Sequence, residues 1–320
     1  MKSPRSRSDK TLLLPLVLAL VFAVASALSP PDSSATEKAK PQTFASPEEA
    51  VKAMIDAMKT GDKAKLSAIF GPGSESVVSS GDDVMDKAQR ERFLKGYEEK
   101  SSLEKKSDDE AILQVGKDDW PLPIPIRKKG SVWAFDVMAG KEELLNRRIG
   151  RNELSAIDLV QAYVDAQREY AARDWDGDGE NPYAQIFRST PGRKDGLYWN
   201  AGEGEEASPF GPLAARAARE GYTKAAKSRE KSPLHGYYFK ILKAQGKHAP
   251  GGAYEYVVKG NMILGFGLVA YPAKYGASGI MTFIVNQEGV VYQKDLGRGT
   301  AKAAEAMKRY DPDPTWRKVD

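Results

Sequence analysis

Apolar positions recur at helical spacing in the first ordered stretch of the chain. Val51, Met54, Ile55 and Met58 fall on one face behind Ser46-Pro47-Glu48-Glu49. Ser46 there is a helix cap, Pro47 suits the first turn, and Glu49, three residues after Ser46, completes a capping box. Thr60-Gly61-Asp62 stops this helix and caps a second, with Leu66, Ile69 and Phe70 on its apolar side and Gly71 at its end. Strand patterns follow at Ala111 to Val115 and Ser131 to Asp136. Between them runs Trp120-Pro121-Leu122-Pro123-Ile124-Pro125-Ile126. Prolines at every second position remove amide donors from one side only, so this segment pairs on one side and is an edge on the other.

A second periodic run begins at Asn152, read as a cap, with Leu154, Ile157, Val160, Val164, Gln167 and Tyr170 at helical spacing. The basic stretch Asn146 to Asn152, with Arg147, Arg148 and Arg151, is the expected domain junction. Its arginines are expected to pair with acidic side chains across an interface; a phosphate or carboxylate partner is the alternative. Ser189 to Pro212 is a Gly- and Pro-rich loop carrying Glu203, Glu205 and Glu206, and a helix is expected around Leu213 to Tyr222. The remainder reads as antiparallel sheet. His235 to Phe239 opens a strand, Tyr254 to Val258 and Met262 to Tyr271 flank a Gly260-Asn261 turn, and Ile280 to Val285 and Val290 to Lys294 flank Asn286 to Gly289. A helix at Thr300 to Arg309 and a Pro-rich tail finish the chain. The fold class expected is α+β. A helix pair with a small curved antiparallel sheet occupies residues 45–146, and a helix packed on an antiparallel sheet occupies residues 147–320.

The N-terminus changes the picture of where this fold works. Four Lys and Arg precede an uncharged run from Thr11 to Ala27 that ends Ala25-Ser26-Ala27. That is the layout of a secretory signal peptide over residues 1–27. The run is short for a membrane anchor, which needs about 20 apolar residues, so no span is expected after cleavage. Residues 28–44, rich in Pro, Ser, Ala and Lys, read as a flexible leader. The chain is therefore expected in the periplasm or secreted. The first ten residues carry three of the four net positive charges, which leaves the remainder nearly neutral and argues against nucleic acid as a partner. The 320 residues include no Cys, so disulfides and thiolate chemistry are excluded and the core must hold the fold. With 41% hydrophobic residues it is large enough to do so.

Candidate chemistry is sparse. Asp174-Trp175-Asp176-Gly177-Asp178-Gly179-Glu180 places carboxylates at alternate positions around a turn, as a calcium loop requires. The pattern departs at its twelfth position, Gln185, where a bidentate Glu belongs, so Glu180 or a backbone carbonyl is the substitute ligand in a weaker site; an Asp/Gly-rich turn is the alternative. Calcium is thus the one cofactor expected, at Asp174, Asp176, Asp178 and Glu180. His235 and His248 are the only histidines and lack ligand spacing. No nucleophile elbow is present. Glu203, Glu205 and Glu206 are candidates for a carboxylate pair acting on a glycan, or else solvated loop charge. Tyr237, Tyr238, Phe239, Tyr254, Tyr256 and Tyr271 read as sheet packing rather than a sugar platform.

The stretches SPEEAVKAMIDAMKTGD, DWPLPIPI, RRIGRNELSAI, DGLYW, HGYYFKIL, APGGAYEYVVKGNMILGFGLVAYPAKYG and SGIMTFIVNQEGVVYQKDLG run from about Ser46 to Gly297. On these the chain resembles the bacterial family catalogued as domain of unknown function 2950. The resemblance implies export from Gram-negative bacteria and brings no catalytic residues. The C-terminal half, through AQREYAARD, HGYYF and LVAYPAKYGASGIMTF, also resembles the globular part of pseudopilins and other pilin-like proteins, but the chain lacks a prepilin cleavage motif. The N-terminal half is similar to a nuclear-transport-factor-two-like cone. The function expected is a non-enzymatic envelope protein that binds or assembles, with an envelope protein or glycan as partner. The alternative is a periplasmic hydrolase using carboxylates.

Overall fold

Both expected N-terminal helices form, and their caps explain where they start and stop. The computed structural model describes residues 40–319 apart from Asp176, Asp178 and residues 223–230. The signal peptide and residues 28–39 of the leader lie outside the described residues. In α1 (Pro47–Thr60) Ser46 Oγ accepts from Glu49 N at 3.2 Å, and Glu49 Oε2 accepts from Ala45 N at 3.2 Å. Gly61, with φ 69°, takes the left-handed C-cap position that a side chain would strain. Asp62 caps α2 (Lys63–Phe70) by accepting from Lys65 N at 2.9 Å. A single turn α3 (Glu75–Val78) and the long α4 (Asp83–Glu99) follow, α4 capped by Asp82, which accepts from Met85 N.

An antiparallel sheet comes next: β1 (Ser101–Ser107), β2 (Glu110–Val115), β3 (Trp120–Pro121), β4 (Ile126–Lys129) and β5 (Val132–Phe135). β2 is central, with β1 on one side and first β3, then β4, on the other. The proline segment is therefore an edge only at β3; from Ile126 it pairs on both sides. Leu122, Ile124 and Ile126 alternate inward and are buried with Met54, Ile69 and Leu113. Each such side chain contributes about 1.5–3 kcal/mol on burial. Phe44, expected in the leader, is buried here and exchanges both backbone hydrogen bonds with Trp133.

The expected junction is not a break in secondary structure. α5 (Val137–Tyr170) runs unbroken through it, 34 residues and about 50 Å long. Asn152, expected as a cap, is mid-helix and donates from Nδ2 to Ser278 O at 2.8 Å. Gly150 and Asn152 are poor helix formers, costing up to about 1 kcal/mol each, but packing at both ends of α5 outweighs that. Its first half buries Val137 in the N-terminal core; its second half buries Val160, Tyr163 and Val164 in the C-terminal one. At Gly140 a Cβ would stand 2.1 Å from Pro123 O, so only glycine lets α5 lie this close to the proline segment.

After α6 (Gly211–Arg219) the chain forms β6 (Tyr237–Leu242), β7 (Ala244–Gln245), β8 (Tyr254–Glu255), β9 (Val257–Val258), β10 (Asn261–Met262), β11 (Gly267–Pro272), β12 (Met281–Asn286), β13 (Tyr292–Asp295), α7 (Thr300–Ala306) and β14 (Arg317–Lys318). The main sheet is antiparallel in the order β14-β13-β12-β11-β6. Every residue of β11 is buried. Leu268 and Ala270 face the α5 side, while Val269 and Tyr271 join Ala304, Tyr310 and Trp316 on the other. The sheet is thus covered on both faces, by α5 and by α7 with the tail. Val258 pairs with Asn261, so the turn is Lys259-Gly260, both at positive φ, one residue earlier than expected. By its contacts Ala39–Asp320 forms one unit.

Candidate functional site

α4 is charged along most of its length, and among its residues only Asp86 is buried. Such a helix cannot seal down on a sheet. Gly96 lets it touch Val115 at one point, while Phe93, Leu94 and Tyr97 stay half-buried. Between α1, α2, α4, α5 and one face of the N-terminal sheet a cavity of about 820 Å³ remains. Its floor is apolar: Met54, Phe70, Leu122 and Ile124. Its wall is basic: Arg90 and Arg92 from α4, and Arg147, Arg148 and Arg151 from α5. Spacings of three and four residues put the last three on one helical face.

The carboxylates on this wall are Asp86 and Asp118. Asp86 is held by Ser79 Oγ at 3.1 Å, Ser80 N at 3.1 Å and Ser80 Oγ at 2.6 Å. Arg148 is buried; it donates from Nη1 to Ser76 O at 2.6 Å and from Nη2 to Val77 O at 2.8 Å. Its Nε is buried without a partner among the described residues. Burial pushes the Arg148 guanidinium below its ordinary value, with Asp86 opposing and Arg151 adding to the shift. Arg151 is lowered by burial and by the nearby Arg92 charge. Arg147 pairs with Glu143 on its own helix at 2.6 Å and lies 5.5 Å from the centre of the Trp120 ring. The expected pairing across an interface is thus met only by the nearness of Asp86 to Arg148, while Arg147 pairs within its own helix. Arg90, Arg92 and Arg151 form no ion pair or side-chain hydrogen bond among the described residues.

The residues singled out for chemistry lie elsewhere. Asp174 Oδ1 accepts from Gly177 N at 2.7 Å and Oδ2 from Gly179 N at 2.8 Å, so the loop turns on its own carboxylate. Glu180 accepts from Asn261 Nδ2. Asp176 and Asp178 lie outside the described residues. Among the described residues no group of three or more His, Asp or Glu is placed to hold a metal ion. The Asp174 loop does meet the acidic loop: Trp175 packs on Trp199 at 4.8 Å, and Arg173 pairs with Glu206. Glu205 accepts from Gly202 N at 2.9 Å, and Glu203 is exposed.

The two histidines are in separate surroundings. His248 Nδ1 is 3.1 Å from Asp311. His235, at φ 50°, has Nε2 3.0 Å from Glu220 and lies beside Tyr222. Tyr222 donates its hydroxyl to Asp82 Oδ2 at 2.9 Å, and Gly236 N donates to the same oxygen at 2.9 Å. One buried carboxylate thus caps α4 and ties it to the C-terminal sheet. Tyr237, Tyr256 and Tyr271 are core residues. A second cavity of about 320 Å³ lies between α5, α6 and β6, lined by Tyr163, Phe187, Phe210, Leu213 and Phe239. No helix of the described residues is long and apolar enough to cross a membrane.

No curated protein and no solved structure matches the chain. A family model does match, over residues 41–319, a span that takes in both cores, α5 and the basic cavity. The chain belongs to the family described as Protein of unknown function (DUF2950).

Proposed function

We propose that this is an exported, non-enzymatic binding protein whose N-terminal lobe takes up a small molecule. The observation that carries the reading is the cavity itself, about 820 Å³ with an apolar floor and a few convergent polar groups. That size and lining are those of small-molecule sites. The wall also favours binding over turnover. Arginine stays protonated at neutral pH and does not serve as a general base. Of the two wall carboxylates, Asp86 already accepts from Ser79 and Ser80, and Asp118 is exposed to solvent.

A neutral apolar dye, N-phenyl-1-naphthylamine, is the direct probe. It should bind the purified protein with enhanced fluorescence. Leu144, half-buried on the α5 side of the cavity, is the position to fill. Leu144→Trp should weaken dye binding at least tenfold while the urea midpoint stays within the range of a surface change. Absence of binding, or binding untouched by Leu144→Trp, would overturn the assignment. Export rests on the N-terminal pattern ending Ala25-Ser26-Ala27. Sequencing the mature protein should give Leu28 first; Met1 retained in a membrane fraction would refute it.

A further inference from the structure

Resting on that reading, we infer that the molecule bound in the N-terminal cavity is an amphipathic anion. Its apolar body lies on the Met54, Phe70, Leu122 and Ile124 floor, and its carboxylate or phosphate head is received by Arg92 and Arg151. Four observations converge on this. The cavity places five arginines against two aspartates, so its wall carries excess positive charge. The charges nearest to neutralisation are accounted for: Arg147 by Glu143, and Arg148 by two carbonyls with Asp86 nearby. Arg90, Arg92 and Arg151 are left without a counter-ion among the described residues, and of these Arg92 and Arg151 are near neighbours, the Arg92 charge being felt at Arg151. Arg92 and Arg151 are both exposed to solvent, which screens their repulsion, and an anion placed between them would relieve what remains of it.

Arg148 supplies the fourth observation. It is buried to 8% exposure, lines the cavity, and has its Nε without a partner among the described residues, while each terminal nitrogen donates to one carbonyl, Ser76 O or Val77 O. That Nε has no accessible surface toward the cavity, so Arg148 contributes a fixed positive charge to the wall that faces the head held by Arg92 and Arg151. Planar guanidinium forks suit either carboxylate or phosphate. The apolar floor requires that the head be attached to a hydrocarbon body, since a free inorganic anion would leave it unfilled.

The test is displacement of N-phenyl-1-naphthylamine by four twelve-carbon ligands below their micellar concentrations: dodecanoate, dodecyl phosphate, dodecanol and dodecyltrimethylammonium. The two anions should displace the dye at concentrations at least tenfold lower than dodecanol, with the advantage shrinking as salt is raised. Tighter binding of dodecanoate supports a fatty acid as the source of the head; tighter binding of dodecyl phosphate supports a phospholipid-derived one. The double variant Arg92→Gln, Arg151→Gln should still bind the dye and should lose the preference for anions. Dodecanol binding as well as the anions, the cation binding best, or the preference surviving in the double variant would each overturn the inference while leaving the cavity a binding site. Failure of the dye to bind at all would instead overturn the reading beneath it.

Discussion

Gln167 is wholly buried, and its side chain is matched to its neighbours atom by atom. Nε2 donates to Tyr163 Oη at 2.9 Å and to Ala184 O at 2.8 Å, while Oε1 accepts from Ala184 N at 2.8 Å. Gln167→Leu keeps the bulk but leaves both backbone groups of Ala184 unpaired in the core. An unpaired buried group costs about 1–3 kcal/mol, so urea unfolding should show a loss of about 2–4 kcal/mol. A loss below about 1 kcal/mol would mean the Ala184 segment is held by something other than this amide. The sequence already placed Gln167 in phase with Val160 and Val164, so its inward direction was legible. Its partner was not, because a backbone group seventeen residues away leaves no mark in side-chain pattern. The arginines tell the same story. Their grouping was plain, and Arg151 has no carboxylate three or four residues away on the C-terminal side. That lack of a helical partner was the available signal for an external anion, and the expected interface pairing passed over it.

Helices with strong caps and one apolar face were readable; elements defined by what packs on them were not. α1 and α2 sit where Ser46, Gly61, Asp62 and Gly71 put them. α4 has an Asp82 cap but no apolar stripe, and so gave no periodic signal. That weakness is also why a cavity exists beneath it: a helix with a clean apolar face would have closed onto the sheet. The strand expected from Met262 to Tyr271 is broken: Met262 pairs in β10 with β9, while β11 begins at Gly267 and pairs with β6 and β12. The unbroken Leu268-Val269-Ala270-Tyr271 run of β11 carried the further information that both faces are covered. The cover on the second face includes α7, whose C-terminal carbonyls on Ala304, Glu305 and Met307 accept from Lys240 Nζ at 2.7, 2.7 and 2.5 Å. A cation at a helix C-terminus is favourable, but its arrival from a strand sixty residues earlier is a tertiary fact.

Across the whole molecule, buried phenols make stability depend on alkaline pH. Tyr163, Tyr222, Tyr237, Tyr256 and Tyr310 are all pushed far above the usual tyrosine range, in each case chiefly by burial. A raised folded value means the native state holds its phenolic protons where the unfolded chain, titrating near about 10, gives them up. Their contribution is therefore complete below about pH 10 and is lost as pH rises beyond it. For Tyr163 alone the loss is up to about 1.4 kcal/mol per pH unit. Denaturation midpoints should be flat from pH 8 to 9.5 and fall by pH 11, with phenolate absorbance rising together with unfolding. Phenolate appearing for most tyrosines while the fold persists would contradict this. α5, shared by both cores, sets a different kind of limit. Each residue of an α-helix turns the chain by about 100° and advances it by 1.5 Å. Between Arg151 at the cavity and Val160 in the C-terminal core, one inserted residue would swing one set of contacts a quarter turn past its seat. Seven would bring them back to within about 20°, though displaced by about 10 Å. The length of this stretch is thus held in phase, and the cavity and the sheet can drift apart in sequence only where no helix keeps count between them.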